Sequence, residues 1–384
     1  MSNEIASSVN GAHNRIEELE SVRGLAALLV VIFHIPNWNS AFYDIQIVRN
    51  GYLMVDMFFV LSGFVIYRSY SGKLLTKESL FQFQFLRIGR LYPVHILILL
   101  IYLAIDGLKY FIPDRLGIKV ATLSIETSHV MAFIEHLFLV QGLWLTDNSL
   151  EFNAPAWSIS VELYTYFLFG LIVLFFNRTK LIIFALIGLA SVAILTVTTE
   201  PSNFYFLLRC TAGFYIGCLT ADIAQRFRGK FPSVVVSLVL LSIICFLQFK
   251  KINAYDVIIY FLTSLFILTL LFSGGGFIKR VLGSRILVWL GTISYSVYMS
   301  HFLILRMFGF VLNNALNRPF ALVDGQMTIQ LTTKETAIAY IIAIALIIFI
   351  SSLIYVAIER PFREKSRLYI HKPIQTAQQS VMVS

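Results

Sequence analysis

Apolar residues recur along this chain in long runs, separated by short polar stretches rich in arginine and lysine. A run of about twenty apolar residues is what an α-helix needs to cross a ~30 Å hydrocarbon core. The pattern predicts about ten spans, at 22–37, 51–67, 92–111, 156–176, 181–198, 204–222, 233–249, 255–272, 286–308 and 336–357. The expected fold is therefore an all-α polytopic membrane protein. One further apolar stretch, 131–145, is too short for a comfortable span and carries Glu135, His136 and Gln141.

The basic loops set the direction. The second span exits into Arg68, Lys73 and Lys77, which assigns that end, and with it the N-terminus, to the cytoplasm. Alternation then places NRTK after 176, QRFRGK after 222, GGGFIKRVLGSR after 272 and ERPFREKSR after 357 inside, so both termini are cytoplasmic. A span that ends inside at NRTK must begin outside. Residues 131–145 are thus expected as a re-entrant or interfacial segment that starts and finishes outside, beyond an outer loop at 113–128. SLFQFQFLRIGRLYP, before the third span, alternates aromatic and basic residues and predicts an interfacial helix that stops near Pro93. Lys250 and Lys251 run against the rule, since they fall on the outer side. The domain reading is a polar lead-in at 1–20, a membrane domain at 21–365 and a polar, disordered tail at 366–384, with no secretory signal peptide ahead of the first span.

Composition sharpens this picture. Hydrophobic residues make up 58% of the 384 and charged ones 13%, which excludes an ordinary soluble domain. The net charge of +9 is distributed over the loops, so it points to a lipid bilayer and not to nucleic acid. Cys210, Cys218 and Cys245 all lie in apolar runs and read as small buried hydrophobes, with no disulfide and no metal called for.

The candidate chemistry lies in the ionisable residues inside the spans. In SVRGLAALLVVIFHIP, His34 follows Arg23 by eleven residues, almost three helical turns, so both share a face with His34 ~16 Å further on, near mid-membrane. Measured from the assumed outer ends, Asp56 is ~8 Å deep, Glu162 ~10 Å and Arg209 ~9 Å, with His301 ~24 Å above the inner end of its span. Buried charges at this depth are costly and mark functional sites or structural ion pairs. A set converging on one layer favours a polar cavity. Within it His34 is the natural general base, Asp56 or Glu162 a partner to orient it, and His301 a candidate, beside helix amides, to stabilise a developing oxyanion. Ser158 shares a helix face with Glu162, Trp157 lies beside them, and Tyr298 precedes His301 by one turn; these three, Trp157, Ser158 and Tyr298, with Arg209, are the expected substrate contacts. At the inner surface Arg87 and Arg90, one turn apart, fit either a phosphate clamp or an anchor on lipid headgroups. Arg360 and Arg363 read as an ordinary cytoplasmic stop. His95, Asp106 and His136 are weaker candidates.

Five stretches, SVRGLAALLVVIFH, VDMFFVLSGFVI, FLRIGRLYP, AWSISVELYTYF and ISYSVYMSH, occur in this order, and together they resemble the acyltransferase-3 family of bacterial integral-membrane O-acyltransferases. The resemblance implies transfer of an acyl group, usually acetyl, from cytoplasmic acyl-CoA to a carbohydrate hydroxyl, in the bacterial inner membrane, with no permanently bound cofactor. It also implies that Arg23 and His34 form the first-helix pair needed for activity, that Arg87 and Arg90 contact the donor, and that Trp157, Ser158 and Glu162 match a Trp-Ser…Glu motif. The short stretch after Arg367 implies the stand-alone membrane form. A transporter or flippase of a glycan intermediate is the competing class, and an acyltransferase for a diffusible acceptor such as a macrolide has the same chemistry.

Overall fold

The computed structural model describes residues 16–111, 127–143, 150–197, 203–251, 255–316, 318–323 and 326–371. Residues 1–15 of the expected lead-in, 113–126 of the expected outer loop and 372–384 of the expected tail lie outside the described residues. The rest is an all-α membrane bundle. Its main helices are α1 (Glu17–Phe33), α2 (Leu53–Tyr70), α3 (Lys77–Phe111), α4 (Thr127–Leu137), α5 (Trp157–Phe175), α6 (Lys180–Val197), α7 (Asn203–Arg226), α8 (Ser233–Phe249), α9 (Ile258–Phe272), α10 (Arg285–Ala315) and α11 (Thr333–Ile354). A π turn at Tyr355–Glu359 joins α11 to α12, Arg360–His371. A small antiparallel hairpin, β1 (Phe320–Val323) and β2 (Gln326–Ile329), decorates the loop between α10 and α11.

Among the described residues, seven helices are long and apolar enough to cross a membrane, and each coincides with a span expected from the sequence. The other three expected spans are also helices but are shorter: 17 residues in α1, 17 in α8 and 15 in α9. The helix α4 has 11 residues, or ~16 Å of rise, which cannot cross a ~30 Å core. It is held to α3 by the Tyr92 hydroxyl donating to Leu137 O at 2.9 Å and His95 Nε2 to His136 O at 2.7 Å.

Several expectations change. No break occurs near Pro93: α3 runs through it as one helix of 35 residues, as proline is tolerated within membrane helices. The Tyr295 hydroxyl donates to the Leu91 carbonyl in that turn. Residues 366–371, expected in a disordered tail, continue α12. Lys250 is no breach of the charge rule, for it is buried and its ammonium meets Asp256 at 2.7 Å, Asn50 Oδ1 at 3.1 Å and the Tyr52 hydroxyl at 3.0 Å. Cys210 and Cys218 are buried, whereas Cys245 is exposed on α8.

Glycines set the closest helix contacts. A Cβ on Gly24 of α1 would lie 2.7 Å from the Gly291 nitrogen of α10, and one on Gly217 of α7 would strike the Val60 carbonyl of α2. Small residues let backbones approach in this way, and close packing is what holds helices together in lipid. Both pairs run parallel. Gly24 meets Gly291 and, ten residues on, His34 meets His301; Asp56 meets Arg209 and, further on, Tyr67 meets Asp222. Of the seven long spans, α2 and α7 are the most enclosed and α6 and α11 the least. The outer faces of α6 and α11 present Leu186, Leu189, Ile341 and Phe349 outward, the lipid-facing arrangement.

Candidate active site

The parallel α1–α10 pair creates the site. Helix α1 ends at Phe33, and His34 is its C-cap. This corrects the expectation that His34 lies inside the helix: Pro36, two residues on, cannot continue it. The cap position swings the imidazole against His301, with His34 Nδ1 3.2 Å from His301 Nε2. Carbonyls only accept, so they define the tautomers. His301 Nδ1 is 2.6 Å from Tyr298 O and carries its proton there, which leaves Nε2 as a lone pair. His34 Nδ1 is 2.9 Å from Val30 O, so its proton is shared between that carbonyl and His301. The Nε2 of neutral His34 is then the unprotonated nitrogen, the form a general base requires.

Beyond His34 the backbone is pinned by the loop that carries the hairpin. Leu331 donates to Trp38 O at 2.8 Å, Asn39 Nδ2 to Leu331 O at 3.0 Å and Gln330 Nε2 to Asn37 O at 3.1 Å.

One turn of α10 before His301, Tyr298 borders a cavity of about 420 Å³, open space at its mouth included, also lined by Arg23, Phe58, Ser158, Glu162 and Tyr295. Four sequence candidates, Arg23, Ser158, Glu162 and Tyr298, therefore line one cavity, whereas His34 and His301 are not among its lining residues. The hydroxyls of Ser158 and Tyr298 are 2.7 Å apart, and each is 3.0 Å from Pro155 O. Glu162 Oε1 accepts from the Tyr166 hydroxyl at 2.5 Å, which is itself 2.6 Å from Ser62 Oγ. Arg23 has a buried Nε with no hydrogen-bond partner.

Asp56, Arg209 and Trp157 do not join them. Asp56 does not orient His34: its carboxylate accepts from Arg209 at 2.7 and 3.0 Å and from the Tyr260 hydroxyl at 3.0 Å. The α2–α7 contact, not α1, decides its partner. Arg209, expected as a substrate contact, is spent on that ion pair and lies 5.1 Å over the Trp157 ring. Trp157 in turn stacks on Phe206, centroids 4.3 Å apart. None of the three is among the residues that line the cavity.

Arg90 lies within electrostatic range of Arg23, and Arg87 precedes it by one turn of α3. Arg87 Nη2 donates to the Tyr70 hydroxyl at 3.1 Å, and the Nε of each arginine is buried with no hydrogen-bond partner. Glu359, read from the sequence only as the start of the cytoplasmic stop, is buried here. It accepts from Ser296 Oγ at 2.7 Å and lies 4.0 Å from Arg363. The π turn directs it inward, and such turns cluster at functional sites. Tyr166 and Ser62 were also missed; Tyr166 follows Glu162 by four residues, a spacing that places it on the same face.

The chain matches the family model described as an acyltransferase domain over residues 16–356. It is 24% identical over 331 residues to the peptidoglycan O-acetyltransferase OatA of Listeria monocytogenes, covering 76% of this chain and 50% of that protein. It is 26% identical over 382 residues to the O-acetyltransferase OatA of Staphylococcus aureus, covering 90% and 57% respectively. The chain thus spans about half the length of the curated relatives it matches. No solved structure matches it. With the helical bundle, the cavity and a family model that covers nearly all of its membrane region, the chain belongs to the acyltransferase-3 family of integral-membrane acyltransferases.

Proposed function

We propose that the protein is an O-acyltransferase that moves an acyl group, acetyl in the first instance, from cytoplasmic acyl-CoA to a hydroxyl of a carbohydrate at the opposite face of the bacterial inner membrane. The contacts of His34 carry this reading, because with Nδ1 turned to Val30 O and His301 the other imidazole nitrogen is left to accept a proton, one turn of α10 beyond the Tyr298 that borders the cavity. Supporting it are the O-acetyltransferase names of the relatives, one of them acting on peptidoglycan, and the basic loops, which assign the arginine end and both termini to the cytoplasm.

In this mechanism the nucleotide of acyl-CoA rests on Arg87 and Arg90, and its pantetheine arm follows α1 past Arg23, Glu162 and Ser158 towards His34. The acceptor hydroxyl reaches His34 from the other face. His34 Nε2 takes the hydroxyl proton as the oxygen attacks the thioester carbonyl. The tetrahedral intermediate collapses with cleavage of the C–S bond, and the proton passes from His34 to the departing thiolate. The ester and free CoA are the products. Transient acylation of His34 gives the same products in two steps. Glu162, fixed through Tyr166, and the Ser158–Tyr298 hydroxyl pair orient the arm and the carbonyl.

The test compares a deletion strain carrying the wild-type gene with one carrying His34→Ala, measuring ester-linked acetate on its glycans by NMR. Loss of acetate, with the variant at wild-type level in the membrane, is the expected result. Normal acetylation by His34→Ala overturns the assignment, and loss of the whole polymer from the surface favours a transporter.

A further inference from the structure

The C-terminal helix brings to the donor end arginines that the sequence assigns to an ordinary cytoplasmic stop. The helices α3 and α12 touch where Gly89 meets Ser366; a Cβ on Gly89 would collide with the Ser366 hydroxyl. Phe85 and Tyr369 close the same contact with ring centroids 5.5 Å apart. Arg87 and Arg90 flank Gly89 on α3, and Arg363 and Arg367 flank Ser366 on α12. Arg363 is held by the Tyr355 hydroxyl, 3.1 Å from its Nη2, and stands 4.0 Å from the buried Glu359 with a side chain 24% exposed. Its Nε, like those of Arg23, Arg87 and Arg90, is buried with no hydrogen-bond partner. Arg367 is exposed but lies within electrostatic range of Arg363, Arg87 and Arg90.

Five guanidiniums therefore share one end of the bundle with three carboxylates in range, Glu20, Glu162 and Glu359. Like charges at this density repel, and a surplus of cations with unmatched N–H groups is the standing requirement for an external anion. Guanidinium forks match phosphate oxygens in particular. Anionic lipid headgroups and the nucleotide of a thioester donor both present phosphate. The inward position favours the nucleotide: Glu359, beside Arg363, is bonded to Ser296 of α10, next to Ser294 and Tyr295 of the cavity wall.

We propose that Arg363 and Arg367 form a second wall of a phosphate seat opposite Arg87 and Arg90, and that this seat holds the phosphate groups of the nucleotide-bearing donor. The inference rests on the acyl-CoA reading above. It assigns α12, which follows the last apolar run, a part in donor recognition.

The experiment uses the full-length protein in nanodiscs of zwitterionic lipid and measures affinity for acetyl-CoA and for S-acetylpantetheine, which lacks the nucleotide. Arg363→Ala and Arg367→Ala are each expected to weaken acetyl-CoA binding by about tenfold or more, with acetylpantetheine binding unchanged. Arg367→Ala, at an exposed position, keeps the test decisive should Arg363→Ala fail to fold. If Arg87→Ala weakens acetyl-CoA binding but neither α12 variant does, this inference falls and the donor reading stands. If the α12 variants differ from wild type only in discs containing anionic lipid, and equally for both donors, the arginines hold headgroups and the inference falls. If the wild-type protein binds neither donor, the donor reading falls and this inference with it.

Discussion

Asp56 decides between two accounts of the polar interior, a catalytic partner for His34 or a structural ion pair. Its carboxylate meets Arg209 at 2.7 and 3.0 Å, and the two side chains are 2% and 10% exposed. Asp56→Ala would leave a guanidinium buried without its counter-charge and the Tyr260 hydroxyl without its acceptor. Breaking a buried pair from one side costs about 3–5 kcal/mol, and an orphaned buried hydroxyl adds about 1–3 kcal/mol. Asp56→Ala should therefore unfold in detergent well below the wild-type temperature. Asp56→Asn with Arg209→Gln restores neutral partners, keeps an acceptor for Tyr260, and should recover most of that loss. The assay is a double-variant cycle on thermal unfolding, run beside acetyl transfer in membranes. A structural pair predicts strong coupling in stability and near-normal transfer by the folded double variant. A double variant that is as stable as wild type yet transfers a hundredfold more slowly would refute this reasoning and return Asp56 or Arg209 to the chemistry.

Three further outcomes follow from the geometry. His301→Ala should lower kcat about 10²-fold with the donor KM held, since it removes a partner that fixes the His34 tautomer; steady-state kinetics in nanodiscs checks this. Tyr166→Phe frees Glu162 Oε1 and should slow transfer about tenfold while the protein stays folded, a loss in line with one charge-assisted hydrogen bond. Gly291→Val puts a branched side chain against the Glu20 carbonyl of α1; it should cost about 1–3 kcal/mol in stability and reduce transfer by parting His34 from His301, both measurable on the purified protein.

The membrane fold was legible because it depends on local pattern. Apolar runs and basic loops are one-dimensional signals with a direct physical cause in the bilayer. Helix-face arithmetic worked equally well where both residues share one helix, as with Ser158 and Glu162, which line the cavity together. It failed where partners come from different helices. Asp56 and His34 were matched by their shared depth, yet depth says nothing about which helices touch. The glycine contacts of α1 with α10 and of α2 with α7 decide that, and they give His34 to His301 and Asp56 to Arg209.

By itself the sequence determined that the chain is a multi-span helical bundle, that Arg23 and His34 lie on one helix almost three turns apart, and that basic residues collect at one end. Tertiary structure alone decided which buried charges meet a cavity and which are consumed as ion pairs. It also decided that Pro93 leaves α3 unbroken, that a π turn aims Glu359 inward, and that α12 carries Arg363 and Arg367 back against α3. The division has one cause. Periodicity and hydropathy act within a segment, whereas the partner of a buried charge is chosen by close packing between segments far apart in the chain.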